Sequence, residues 1–155
     1  GGKKGNFLGY STNFGVCDAS LKTAFGKAGH NFTVNTSIAA SVANFKKYDG
    51  VWLAGKSVNN QVLIDYVKAG GNVYLMGGTG VCGTSAAEAR GWNTFLKTFG
   101  LEFGENFNGS TGVLEIEGNH QILEGVPELF FYNGNGVKDN KPNDNSTQVF
   151  TNKYG

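Results

Sequence analysis

"VWLAGKSVNNQVLIDYVKAGGNVYLMGG" (residues 51–78) decides how this chain is read. Val51-Trp52-Leu53-Ala54 is apolar throughout, as a strand buried on both faces of a sheet is. The segment after it, about 59–69, carries Val62, Leu63, Ile64, Tyr66 and Val67 in amphipathic helical spacing. Gly70-Gly71 stops that helix, and Asn72 to Met76 form the next strand. A strand, a helix and a strand joined by a few residues make a parallel pair with a right-handed crossover.

The same alternation extends outward. Residues 5–11 read as a first strand. Asp18 caps a helix through Leu21, Ala24, Phe25 and Ala28 that Gly29 ends. A short strand covers Phe32 to Asn35, and a second helix covers about 38–47. After Met76 comes Gly77-Gly78-Thr79-Gly80, then Cys82, then a helix over about 84–99 with Trp92, Phe95, Leu96 and Phe99 on one face. Strands are predicted at 101–103, 113–116 and 129–132, a polar loop at 133–148, and a last strand at 148–151. This pattern predicts one α/β domain over 1–155. Its architecture is a three-layer sandwich, flavodoxin-like or amidotransferase-like, with helices on both faces of a parallel sheet. In such sheets ligands bind at the carboxyl ends of the strands.

Composition narrows the function classes. The chain has 155 residues, 25 of them Gly, a net charge of +1 and only 16% charged residues. No basic patch interleaved with aromatics points to nucleic acid. The apolar runs fall far below the roughly 18–20 residues of a membrane span. Abundant Gly and Asn with low charge predict an extracytoplasmic protein, secreted or at the cell surface. Four Asn-x-Ser/Thr sequons, at Asn31, Asn35, Asn108 and Asn145, are too common in such a composition to add weight. Gly1-Gly2-Lys3-Lys4 reads as a processed start, and Thr151-Asn152-Lys153-Tyr154-Gly155 reads as an end without an obvious terminal element, compatible with a cut from a larger protein.

Four phrases resemble the class I glutamine amidotransferase-like superfamily, especially its trehalose-utilisation-type (ThuA-like) branches. They are "YDGVWLAGKS" (48–57), "LIDYVKAGGNVYLMGG" (63–78), "WNTFLKTFGLEF" (92–103) and "NHQILEGVPELF" (119–130). The resemblance implies an amidotransferase-like fold. In active members a cysteine stands in a tight turn directly after the fourth strand. Here that place falls at Gly78 or Thr79, Cys82 comes about three residues later, and no His-x-Glu pair follows. The resemblance therefore implies that glutamine hydrolysis is absent.

Cys82 is weighed in three ways: as a nucleophile with His120 as its base, as half of a disulfide with Cys17, and as a small loop residue. His120 has a plain reading too, ordering the turn before Gly125-Val126-Pro127 by a backbone hydrogen bond. Ligand-binding candidates are Asn13, Gly55, Lys56, Gly78, Thr79, Gly80 and His120. No cofactor is expected. Gly55-Lys56-Ser57 lacks the upstream glycine of a phosphate loop. The run 139–145 has oxygens suited to calcium but lacks the Gly and final Glu of an EF-hand, so no metal is expected. Trp52 and Trp92 read as core. The reading favoured is a non-catalytic binding or structural module whose partner is a small molecule, carbohydrate or protein. The alternative is a cysteine-dependent hydrolase using Cys82 and His120.

Overall fold

A computed structural model describes residues 3–13, 15–55, 58–116 and 120–141. The chain is mixed α/β and divides between Val81 and Cys82 into two compact units.

The first unit holds a four-stranded parallel sheet. Its strands are β1 (Asn6–Gly9), β2 (Asn31–Val34), β3 (Gly50–Ala54) and β4 (Val73–Met76), in the spatial order β2-β1-β3-β4. The helices between them are α1 (Ala19–Lys27), α2 (Val42–Phe45) and α3 (Asn60–Lys68). Register pairs Phe7 with Phe32, Gly9 with Trp52, Trp52 with Tyr74 and Ala54 with Met76, so these side chains share one face. Phe25 of α1 sits on that face, with ring centroids 4.9 Å from Phe7, 4.8 Å from Phe32 and 5.3 Å from Trp52. The alternate positions Leu8, Val51 and Leu53 are fully buried. Beyond β1 the Tyr10 ring meets Phe45 of α2, and Phe45 meets Tyr66 of α3, each edge to face. The apolar run at 51–54 is thus a central strand with buried residues on both sides, as its lack of alternation predicts.

Local signals fix most ends. Ser41 accepts the Asn44 N–H and starts α2 at Val42. The helix expected over 38–47 is therefore a single turn. Asn59 accepts the Gln61 N–H and starts α3. Asp18 occupies the N-cap position of α1 but makes no side-chain cap bond.

The second unit begins with α4 (Ser85–Thr98), capped by Thr84 Oγ1, which accepts the Ala87 N–H at 3.1 Å. Its buried side chains include Trp92, Phe95 and Leu96, and it packs on β5 (Leu101–Phe107). Asn93 clamps the two: its side chain accepts from the Phe103 N–H and donates to the Phe103 carbonyl. Two antiparallel pairs follow. β5 pairs with β8 (Asn135–Asp139), and β6 (Thr111–Glu115) pairs with β7 (Glu128–Tyr132). Strand β8 stands where the sequence predicts a polar loop. Its one bulky apolar residue, Val137, faces Phe103, and Asn135 donates to the Ser85 and Gly104 carbonyls. The strand is fixed by pairing rather than by its own pattern. The strand expected at 148–151 lies outside the described residues. Lys97 and Glu102 form an exposed ion pair at 2.8 Å. Hydrogen bonds from Lys97, then Asn140, hold the Glu102 carboxyl below its ordinary pKa.

The glycine pair closing α3 has two separate physical reasons. Gly70 has φ +86° with open space around it. At Gly71 an added Cβ would lie 2.3 Å from the buried Tyr66 ring. Gly70→Ala is expected to cost about 1 kcal/mol from the left-handed backbone. Gly71→Ala is expected to cost about 1–3 kcal/mol from overpacking. Urea unfolding in a Tyr66→Leu background checks this: the Gly71→Ala increment shrinks there and the Gly70→Ala increment does not.

Candidate functional site

The carboxyl edge of the parallel sheet is where the sequence places a ligand. Three loops meet there. After β1 the chain passes through Ser11, which is fully buried and donates its hydroxyl to the Ala54 carbonyl at the end of β3. The Asn13 N–H donates to Ser11 Oγ at 3.1 Å, and Asn13 Nδ2 reaches the same Ala54 carbonyl at 3.4 Å. The first loop is therefore anchored on the last residue of the central strand.

The second and third loops meet at Gly55. Its φ is +70°, and an added Cβ would stand 2.7 Å from Thr79 Oγ1 and 3.0 Å from Val81 Cβ. Only a glycine fits. Thr79, between the left-handed Gly78 (φ 80°) and Gly80 (φ 68°), is 4% exposed. Its hydroxyl accepts the Val81 N–H at 3.4 Å. The Thr79 side chain is thus turned inward against Gly55.

Asn13, Gly55, Gly78, Thr79 and Gly80 are brought into one connected edge. Lys56 lies outside the described residues. His120 is in the second unit, before the 3-10 turn Gln121–Leu123, and its Nδ1 accepts the Ile122 N–H at 3.2 Å. That is the turn-ordering bond of its plain reading. None of Ser11, Asn13, Gly55, Gly78, Thr79 and Gly80 titrates near neutrality. Their chemistry is hydrogen bonding, with no proton to move.

Cys17 and Cys82 are both free cysteines, so the disulfide weighed as one possibility for them is not formed. Cys17 is exposed and donates its thiol to the Thr12 carbonyl within its own loop. Cys82 is half-buried at the start of the second unit. Burial first, and the Glu88 carboxylate second, push its thiol pKa up. A nucleophilic thiol needs the opposite. Sequence reasoning missed Glu88, which is fully buried in the first turn of α4. A carboxylate four residues after the Thr84 cap was the available signal. Among the described residues, no group of three or more His, Cys, Asp or Glu side chains is placed to hold a metal ion. No described helix is long and apolar enough to cross a membrane.

A groove of about 560 Å³ lies at the other end of the sheet, lined by Asn6, Lys22, His30, Asn31 and Lys47 among others. The His30 ring is fixed there, its Nδ1 accepting the Gly5 N–H at 3.0 Å.

Comparison of the chain with protein-family models, with curated proteins and with solved structures finds no match.

Gly55→Ala tests the joint between the loops. It combines a left-handed backbone with a clash, so its expected cost is about 2–4 kcal/mol. Adding Thr79→Ala removes part of the clash and recovers part of the loss. Chemical denaturation of the two variants measures both effects.

Proposed function

We propose that this chain is a non-catalytic binding or structural module of a secreted or cell-surface protein. In this reading the fold is a three-layer sandwich of flavodoxin-like or amidotransferase-like type. The chain is a member of the glutamine amidotransferase-like superfamily that lacks the nucleophile. The strand order β2-β1-β3-β4 supports the fold reading, because flavodoxin-like sheets begin 2-1-3-4. The single observation that carries the functional reading is the inward Thr79, seated on Gly55 where an enzyme presents its cysteine. The raised thiol of Cys82 agrees with it.

The ligand-binding edge consists of Asn13, Gly55, Gly78, Thr79 and Gly80, all in the first unit. It offers hydrogen bonds suited to a carbohydrate, another small neutral molecule or a protein loop. The chemistry available is recognition without turnover, and no cofactor takes part.

Thiol labelling tests the reading in a Cys17→Ser background, which leaves Cys82 as the chain's one cysteine. The fold favours the neutral thiol of Cys82. The stability this gives is present below the ordinary thiol value and lost as pH rises through the higher folded one. Labelling at pH 7 is therefore expected to be slower than that of an unstructured cysteine peptide. Its rate should still climb above pH 9.0, the ordinary thiol value. Rapid labelling at pH 7, together with ester or amide hydrolysis that Cys82→Ser abolishes, would establish the hydrolase instead.

A further inference from the structure

The β6–β7 pair carries a feature that neither fold nor carboxyl edge explains. Its register sets Val113 opposite Phe130, Thr111 opposite Tyr132, and Glu115 opposite Glu128. Side chains alternate along a strand, so these six residues share one face. On it Val113 is 57% exposed, Phe130 67% and Tyr132 73%. Large apolar side chains grouped on an open face mark an interaction surface. The same face ends in two glutamates directly across from each other, a pairing that destabilises a sheet through repulsion.

Charge along the chain says what would relieve it. The net +1 is unevenly divided: residues 1–81 carry eight lysines and three aspartates, while residues 82–155 carry five basic and nine acidic residues. From Lys97 to Lys138 there are six glutamates and neither lysine nor arginine between them. This arm supplies no cation of its own to the Glu115–Glu128 pair.

We propose that the β6–β7 face is a docking surface for a basic protein segment. The segment covers Val113, Phe130 and Tyr132 with apolar side chains and places a lysine or arginine between Glu115 and Glu128. Apolar contact supplies area at the centre. The charge pair at the end sets orientation and speeds association. The proposal stands or falls independently of the function proposed for the carboxyl edge.

The test uses the full chain and two nine-residue probe peptides, one alternating leucine with lysine and the other leucine with glutamate. Fluorescence anisotropy is expected to show binding of the lysine probe, weakened by added salt, and none of the glutamate probe. Phe130→Ser is expected to weaken binding about tenfold. Glu128→Lys places opposite charges across the pair, so it should raise the melting temperature while lowering affinity for the lysine probe about tenfold. A residue with only a structural role would not separate the two readouts in that way. The proposal is overturned if neither probe binds, if both bind equally, or if Glu128→Lys leaves the affinity unchanged. It is also overturned if sedimentation shows the wild-type chain dimerising through this face, with Phe130→Ser restoring the monomer. The occupant would then be a second copy.

Discussion

The backbone turns left-handed at Gly55, where the central strand of the parallel sheet ends, with no room for a side chain. That close approach lets Thr79 and Val81 fold down from the loop after β4 onto the end of β3. The residue just before, Ala54, offers its carbonyl to Ser11 and Asn13 from the loop after β1. The last residue of β3 and the glycine after it thus collect three loops. The Ser11 bond to the Ala54 carbonyl is buried, and the bonds of Asn13 and of the Thr79 hydroxyl around it are half-buried. Thr79 is used here as an internal support.

Most of the first unit was legible from the sequence. Its strands are short apolar runs, and its helices stop at glycines. Gly70-Gly71 is readable as a stop, although the seat for the Tyr66 ring at Gly71 appears only in three dimensions. The second helix was overread, because Ile38, Ala39 and Ala40 are apolar without being helical, and the Ser41 cap decides the start. In the second unit local pattern fails where pairing decides. Asn135-Gly136-Val137-Lys138-Asp139 resembles a loop, and its strand exists because β5 lies beside it and Asn135 bonds across to Ser85 and Gly104.

The candidate site was legible as a location and less so as chemistry. Small residues just after parallel strands belong at the carboxyl edge, and Asn13, Gly55 and Gly78 to Gly80 are there. The inward turn of Thr79 was not legible, because it depends on a glycine 24 positions earlier in the chain. The character of Cys82 was not legible either. A helix start suggests a lowered thiol pKa, whereas burial and the Glu88 carboxylate raise it. The exposed face of β6–β7 was hidden for a similar reason. Alternation shows which residues share a face, but only the register sets Glu115 against Glu128.

The account rests on Thr79 and Val81 packing against Gly55, and nuclear Overhauser spectroscopy on isotopically labelled chain measures that directly. The structure predicts strong cross-peaks from the Gly55 α-protons to a Val81 methyl group and to the Thr79 side chain, with slow exchange of the Val81 amide. Missing cross-peaks, with a Thr79 side chain that contacts water, would mean that Thr79 is open to solvent, and the proposed non-catalytic reading would lose its foundation.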